Sequence, residues 1–128
     1  MRTLLSKISF ILFLLPVFLL ASPSRVKISE IIKNPDKYDN QIISVEGYIQ
    51  NIKQKISQRG NKYTTFSISD GEGNYLKVFL WGWEGIEEQN IKEGDKVEVE
   101  GKFQKIKYVG KYKFYNEIEA RKIKKQGK

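Results

Sequence analysis

Residues 75–81 read Tyr-Leu-Lys-Val-Phe-Leu-Trp, a strict alternation that leaves little choice of secondary structure. Period two is the period of a pleated strand, so Leu76, Val78 and Leu80 share one face. Tyr75, Lys77, Phe79 and Trp81 then share the other. The preceding Asp70-Gly71-Glu72-Gly73 is a hairpin turn. It joins this strand, placed over 74–81, to another over 62–69. There Thr64, Phe66 and Ile68 oppose Tyr63, Thr65 and Ser67.

The same rhythm recurs on both sides. Over 41–55, Ile43, Val45, Gly47 and Ile49 alternate with Ser44, Glu46, Tyr48 and Gln50. Ser57-Gln58-Arg59-Gly60-Asn61 is a polar turn into the second strand. Over 95–107, Val97, Val99, Gly101 and Phe103 point inward, and Val109-Gly110 turns the chain. A last strand over 111–123 places Phe114, Asn116, Ile118 and Ala120 on one side. The internal glycines of the first and fourth strands mark bulges or sharp coiling, which a small closed barrel requires.

Two segments break the rhythm. Within 28–38, Ser29 is placed to cap a short helix carrying Ile31 and Ile32, and Asn34-Pro35 terminates it. Asp39-Asn40 then turns into the first strand. Within 82–94, three glycines bracket Ile86–Ile91, too short for more than a helical turn or two. The expected architecture is all-β: a five-stranded OB-fold β-barrel, with a short N-terminal helix and a short helix between strands three and four.

The first residues follow a different logic. Arg2 and Lys7 precede an apolar run from Ile8 to Ala21, and Ser22 and Ser24 follow around Pro23. Basic start, short apolar centre and small-residue exit are the order of a secretory signal. The run covers 14 residues, against roughly 20 for a spanning helix. Residues 1–21 are therefore expected to be a signal peptide and 22–128 the folded domain, with a basic tail from about 122 that frays. Cleavage is expected after Ala21 or Ser24, giving an exported periplasmic or extracellular protein; an uncleaved signal makes it membrane-anchored. The signal holds two of the 23 basic residues and none of the 15 acidic ones, leaving a net charge of +6. A basic surface suits nucleic acid, lipid headgroups or acidic glycans.

At this point the residues resemble a known family. Asn34-Pro35-Asp36-Lys37-Tyr38-Asp39-Asn40 leading into Ile43-Ser44-Val45-Glu46-Gly47 resembles the opening of bacterial OB-fold domains of the nucleic-acid-binding, tRNA-anticodon-like type. Lys62-Tyr63-Thr64-Thr65-Phe66-Ser67-Ile68-Ser69-Asp70, followed by Val78, resembles their second and third strands. Gly94-Asp95-Lys96-Val97-Glu98-Val99-Glu100-Gly101 resembles the entry to their fourth. A second similarity is to the exported bacterial OB-fold stress proteins of the BOF family. They share the signal, the Val45-Glu46-Gly47-Tyr48 strand and the small size. This sequence departs from them in its longer loop between strands four and five and in Trp81-Gly82-Trp83.

Histidine and cysteine are both absent. That removes the usual zinc ligand sets, disulfides, and Ser-His-Asp or Cys-His catalysis. It also argues against the exported OB-type haem chaperone, which attaches haem through a histidine. Asp70 and Glu72 read as turn formers. The run Glu84, Glu87, Glu88, Glu93, Asp95, Glu98 and Glu100 reads as a solvated edge, with a cation site as the other reading. No enzyme, metal or cofactor is expected.

The functional expectation rests on the outward face. Tyr48, Tyr63, Tyr75, Lys77, Phe79 and Trp81 project from the first three strands. Lys53, Lys55, Arg59 and Lys62 flank the first loop. Lys105, Lys107, Tyr108, Lys111, Tyr112 and Lys113 flank the last. Flat rings stack on bases while lysines track phosphates, so single-stranded DNA or RNA is the expected partner. The other reading is an envelope stress or interaction protein whose face holds a protein, glycan or lipid. Trp81 and Trp83 have a structural alternative too, packing under a short helix to close the barrel end.

Overall fold

A computed structural model describes residues 23–127, and the expected signal over 1–21 lies outside the described residues. The elements are α1 (Ile28–Lys33), α2 (Pro35–Tyr38), β1 (Ile42–Ile56), β2 (Lys62–Ser69), β3 (Tyr75–Trp81), α3 (Glu84–Glu88), β4 (Lys96–Val109) and β5 (Tyr112–Lys125). The strands close into a barrel in the order β1-β2-β3-β5-β4. Neighbours are antiparallel except β3 and β5, whose parallel seam pairs Lys77 with Glu117, Val78 with Ile118, Phe79 with Glu119 and Leu80 with Ala120.

The alternation fills this barrel as expected. Val45, Ile49, Ile68, Leu76, Val78, Val97, Val99, Phe103 and Ile118 are each at most 1% exposed. Each such side chain stabilises the fold by roughly 1.5–3 kcal/mol relative to leaving it in water. Ile28 and Ile31 of α1 and Ile86 of α3 join the same core. The Ser29 cap is not formed: Lys27 occupies the cap position before α1, with no side-chain cap bond. Asn34 ends α1, but Pro35 then opens α2, since proline at a first helical position loses no needed donor.

Glycine matters at two points where strands cross closely. A Cβ on Gly47 lies 2.8 Å from the Ile68 Cβ, and one on Gly101 lies 2.7 Å from the Ala120 Cα. At Gly101 the β4–β5 register also shifts, so this glycine sits at a bulge. The bulge of β1 falls elsewhere than its glycine. The β1–β2 register shifts between Gln50 and Lys53, where Asn51 has φ 56°. Glu93 holds that bulge by accepting the Asn51 and Ile52 amides at 2.7 and 3.1 Å.

The N-terminal segment pairs with the edge of early β1 through Val26 N–H to Ser44 O at 2.8 Å and Ser44 N–H to Ser24 O at 3.1 Å. One further expectation needs correction. Lys122, Lys124 and Lys125 do not fray but continue β5, with Ile123 buried and the Gln126 amide donating to Lys96 O.

Candidate nucleic-acid interface

On the outer face of β2 and β3 the register sets Tyr63 beside Trp81 and Thr65 beside Phe79. The rings meet: Tyr63 and Phe79 stack with centroids 5.3 Å apart, and Trp81 stands edge-on to Phe79 at 4.8 Å. Trp81 is 56% exposed. The paired rings fix one another's orientation, which lowers the entropic cost of meeting a flat ligand.

The two long hairpin arms make this face a groove. Lys55 and Ser57 from the end of β1, and Lys107, Val109 and Phe114 from the β4–β5 arm, wall a cleft of about 450 Å³ floored by the three rings. A second hollow of about 500 Å³ continues it past Asn51, Lys53, Ser67 and Lys77. Lys55, Thr65, Phe114 and Glu117 line both.

Of the sixteen expected residues, the groove gathers Lys53, Lys55, Tyr63, Lys77, Phe79, Trp81 and Lys107. Lys107 is only partly available. Its ammonium is 2.9 Å from a Glu117 carboxylate oxygen and 4.5 Å from the Phe79 centroid. Tyr112 pairs with Val109 and so shares the pleat face that borders the cleft. Tyr108 and Lys113 pair with each other on the opposite face of the arm, beside the Ile106–Tyr115 pair. Lys111 is exposed at the arm's tip, its ammonium 5.7 Å from the Tyr112 ring.

Five expected residues lie elsewhere. Lys62 pairs with Ile56, out of phase with the Tyr63–Lys55 pair, and its ammonium covers the Trp83 ring at 4.7 Å. Lys105 is held by α2: its ammonium is 2.7 Å from Asp36 and its amide donates to Asp39 at 2.8 Å. Asp36 thereby raises the Lys105 pKa above its ordinary value. Tyr48 has the Lys96 ammonium near its ring, and Tyr75 is exposed at the far end of β3; neither lines the cleft. Arg59 is exposed in the β1–β2 turn, also clear of the cleft lining. Trp83 is structural, its indole N–H donating to Tyr63 O at 3.0 Å.

Phe114, Glu117 and Glu119 were not expected here. Alternation carried backward from Ile118 puts Phe114 inside, but Asn116 has φ 52° and breaks the phase. Phe114 is therefore 37% exposed and meets the cleft, whereas Glu117 and Ile118 are buried back to back. An asparagine inside an otherwise regular strand is the one signal that pointed to this break.

The acidic run 84–100 does not converge: among the described residues no group of three or more carboxylates is placed to hold a metal. Glu84, Glu87 and Glu88 are exposed, as in a solvated edge, whereas Glu93, Asp95 and Glu98 have structural tasks. Glu93 and Asp95 accept backbone amides, which keeps both below the usual carboxylate range. The Ser44 hydroxyl, 2.6 Å away, and then Arg25 do the same for Glu98. Asp70 bonds the Asn74 side chain at 2.8 Å and the Glu72 and Asn74 amides, ordering the β2–β3 turn as expected.

A closed five-stranded barrel with its groove between two basic arms is an OB-fold domain. The chain belongs to the family of OB-fold nucleic acid binding domains of the tRNA anti-codon type, whose model matches residues 43–125. This is the first of the two resemblances seen in the sequence. No curated protein matches the chain. Among solved structures it is similar to a Leishmania major Friedlin chain assigned as an aspartyl-tRNA synthetase, at TM-score 0.58 and 11% identity. That match covers 81% of this chain and 21% of the synthetase chain, so this chain spans about a fifth of that one's length. It is also similar to the dimeric N-terminal domain of PriB protein from Thermoanaerobacter tencongensis. There the TM-score is 0.53 with 18% identity, over 70% of this chain and 98% of that one. At these identities the likeness is one of fold.

Proposed function

We propose that this chain is a non-catalytic module that binds single-stranded DNA or RNA in the groove over β2 and β3. The observation that carries the proposal is the Tyr63–Phe79–Trp81 ring cluster on the groove floor, beside lysines of the β1 arm. Each base stacked on such a ring is worth roughly 1–3 kcal/mol and needs no particular sequence. Lys53, Lys55 and Lys77 line the same groove and make no ion pair among the described residues. They supply the phosphate contacts. The family assignment supports the ligand class, and the apolar run over residues 8–21 supports a place of action outside the cytoplasm.

Titration of intrinsic tryptophan fluorescence with a short oligonucleotide tests this, because Trp81 lies in the groove. With about three phosphates neutralised, log affinity falls against log salt with a slope of about −2. Absence of any quenching at low salt refutes the reading. Binding that ignores salt leaves stacking without the lysines and refutes their assigned role.

A further inference from the structure

We propose that Glu119 selects the base admitted to the groove, favouring guanine, and after it cytosine or adenine, over thymine or uracil. The inference rests on the nucleic-acid reading above and assigns that site a preference.

The two walls of the groove differ in charge: Lys53 and Lys55 stand on the β1 side, whereas on the β4–β5 side Lys107 is matched by Glu117 and the charge of Glu119 is left over. The carboxylates are not equivalent. Glu117 is 8% exposed and is answered by Lys107 at 2.9 Å. Glu119 is only half-buried and makes no hydrogen bond or ion pair among the described residues. Its register partners are Phe79 on β3 and Lys102 on β4. An acceptor group with no donor thus borders the ring on which a base stacks.

A phosphodiester avoids that wall, since like charges repel in a partly desolvated site. The backbone therefore runs along the lysines of β1, and the bases reach across the rings with their edges toward β5. A carboxylate only accepts hydrogen bonds. Guanine offers two neighbouring donors on its Watson–Crick edge, the N1 imino and N2 amino groups, which match the two carboxylate oxygens. Cytosine and adenine each offer one amino group. Thymine and uracil set a single imino donor between two carbonyl oxygens, which the carboxylate repels.

The test uses the full chain and oligothymidylates of about eleven nucleotides, either unbroken or with guanine at the centre, read by tryptophan fluorescence. Central guanine is expected to tighten binding about fivefold or more. Glu119→Gln, whose fold is checked by its melting curve, is expected to tighten oligothymidylate binding and bring the two affinities within about twofold. Equal wild-type affinity for the two oligonucleotides overturns the proposal and leaves the nucleic-acid reading standing. A guanine preference that survives in Glu119→Gln does the same. Failure of every oligonucleotide to bind at low salt overturns the nucleic-acid reading itself, and this inference with it.

Discussion

Trp81 and Phe114 show how differently two rings reach one cleft. Trp81 arrives by simple alternation along β3, so its exposure is legible from its neighbours Leu80 and Val78. Phe114 arrives because one residue, Asn116, takes a left-handed φ, and no pattern of apolar residues reports a dihedral angle. The same limit hid the tethering of Lys105, whose partner Asp36 lies on another element. Trp81→Ala is expected to weaken oligonucleotide binding roughly 5- to 150-fold, the loss of one stacking platform. Its melting temperature stays close to wild type, because the ring is exposed. Lys105→Ala is the matched control: fluorescence titration is expected to show a change below about twofold, the lysine being bound to Asp36 and absent from the groove's lining.

At the scale of the element, strands were readable and their irregularities were not. All five strands lie where period two places them, since burial of one face forces the alternation. The bulges answer to contacts between strands. Gly47 is required by the approach of Ile68, whereas the β1 bulge itself falls at Asn51 under the hold of Glu93. Gly101 combines both needs. Gly101→Ala drives a methyl group into the backbone at Glu119 and Ala120, which cannot yield as a flexible side chain would. The expected cost is about 3 kcal/mol, measured by chemical denaturation. A variant of unchanged midpoint means that the two strands separate freely there.

For the molecule as a whole, part of the acidic run, together with Asp70 of the β2–β3 turn, forms a set of internal fasteners, while Glu84, Glu87 and Glu88 stay exposed. Asp70, Glu93, Asp95 and Glu98 all have pKa values held below their ordinary range by hydrogen-bond donors. A depressed folded-state pKa gives stability that is fully present above the unfolded carboxylate range. That stability is lost as pH falls through the folded values. Melting temperature is therefore expected to be level from about pH 6 to 8 and to fall below about pH 4. Glu98→Gln makes the acid limb shallower. A melting temperature that rises on acidification contradicts these assignments.

The parallel seam between β3 and β5 has only four residue pairs, and two of them, Lys77–Glu117 and Phe79–Glu119, face the groove. A bound strand lies across the joint at which the cylinder closes and touches both of its edges. Occupancy then acts as a rivet. Amide hydrogens of residues 77–80 and 117–120 are expected to exchange with deuterium more slowly in the complex, while those of the β1–β4 ladder, on the far side, keep their free-state rates.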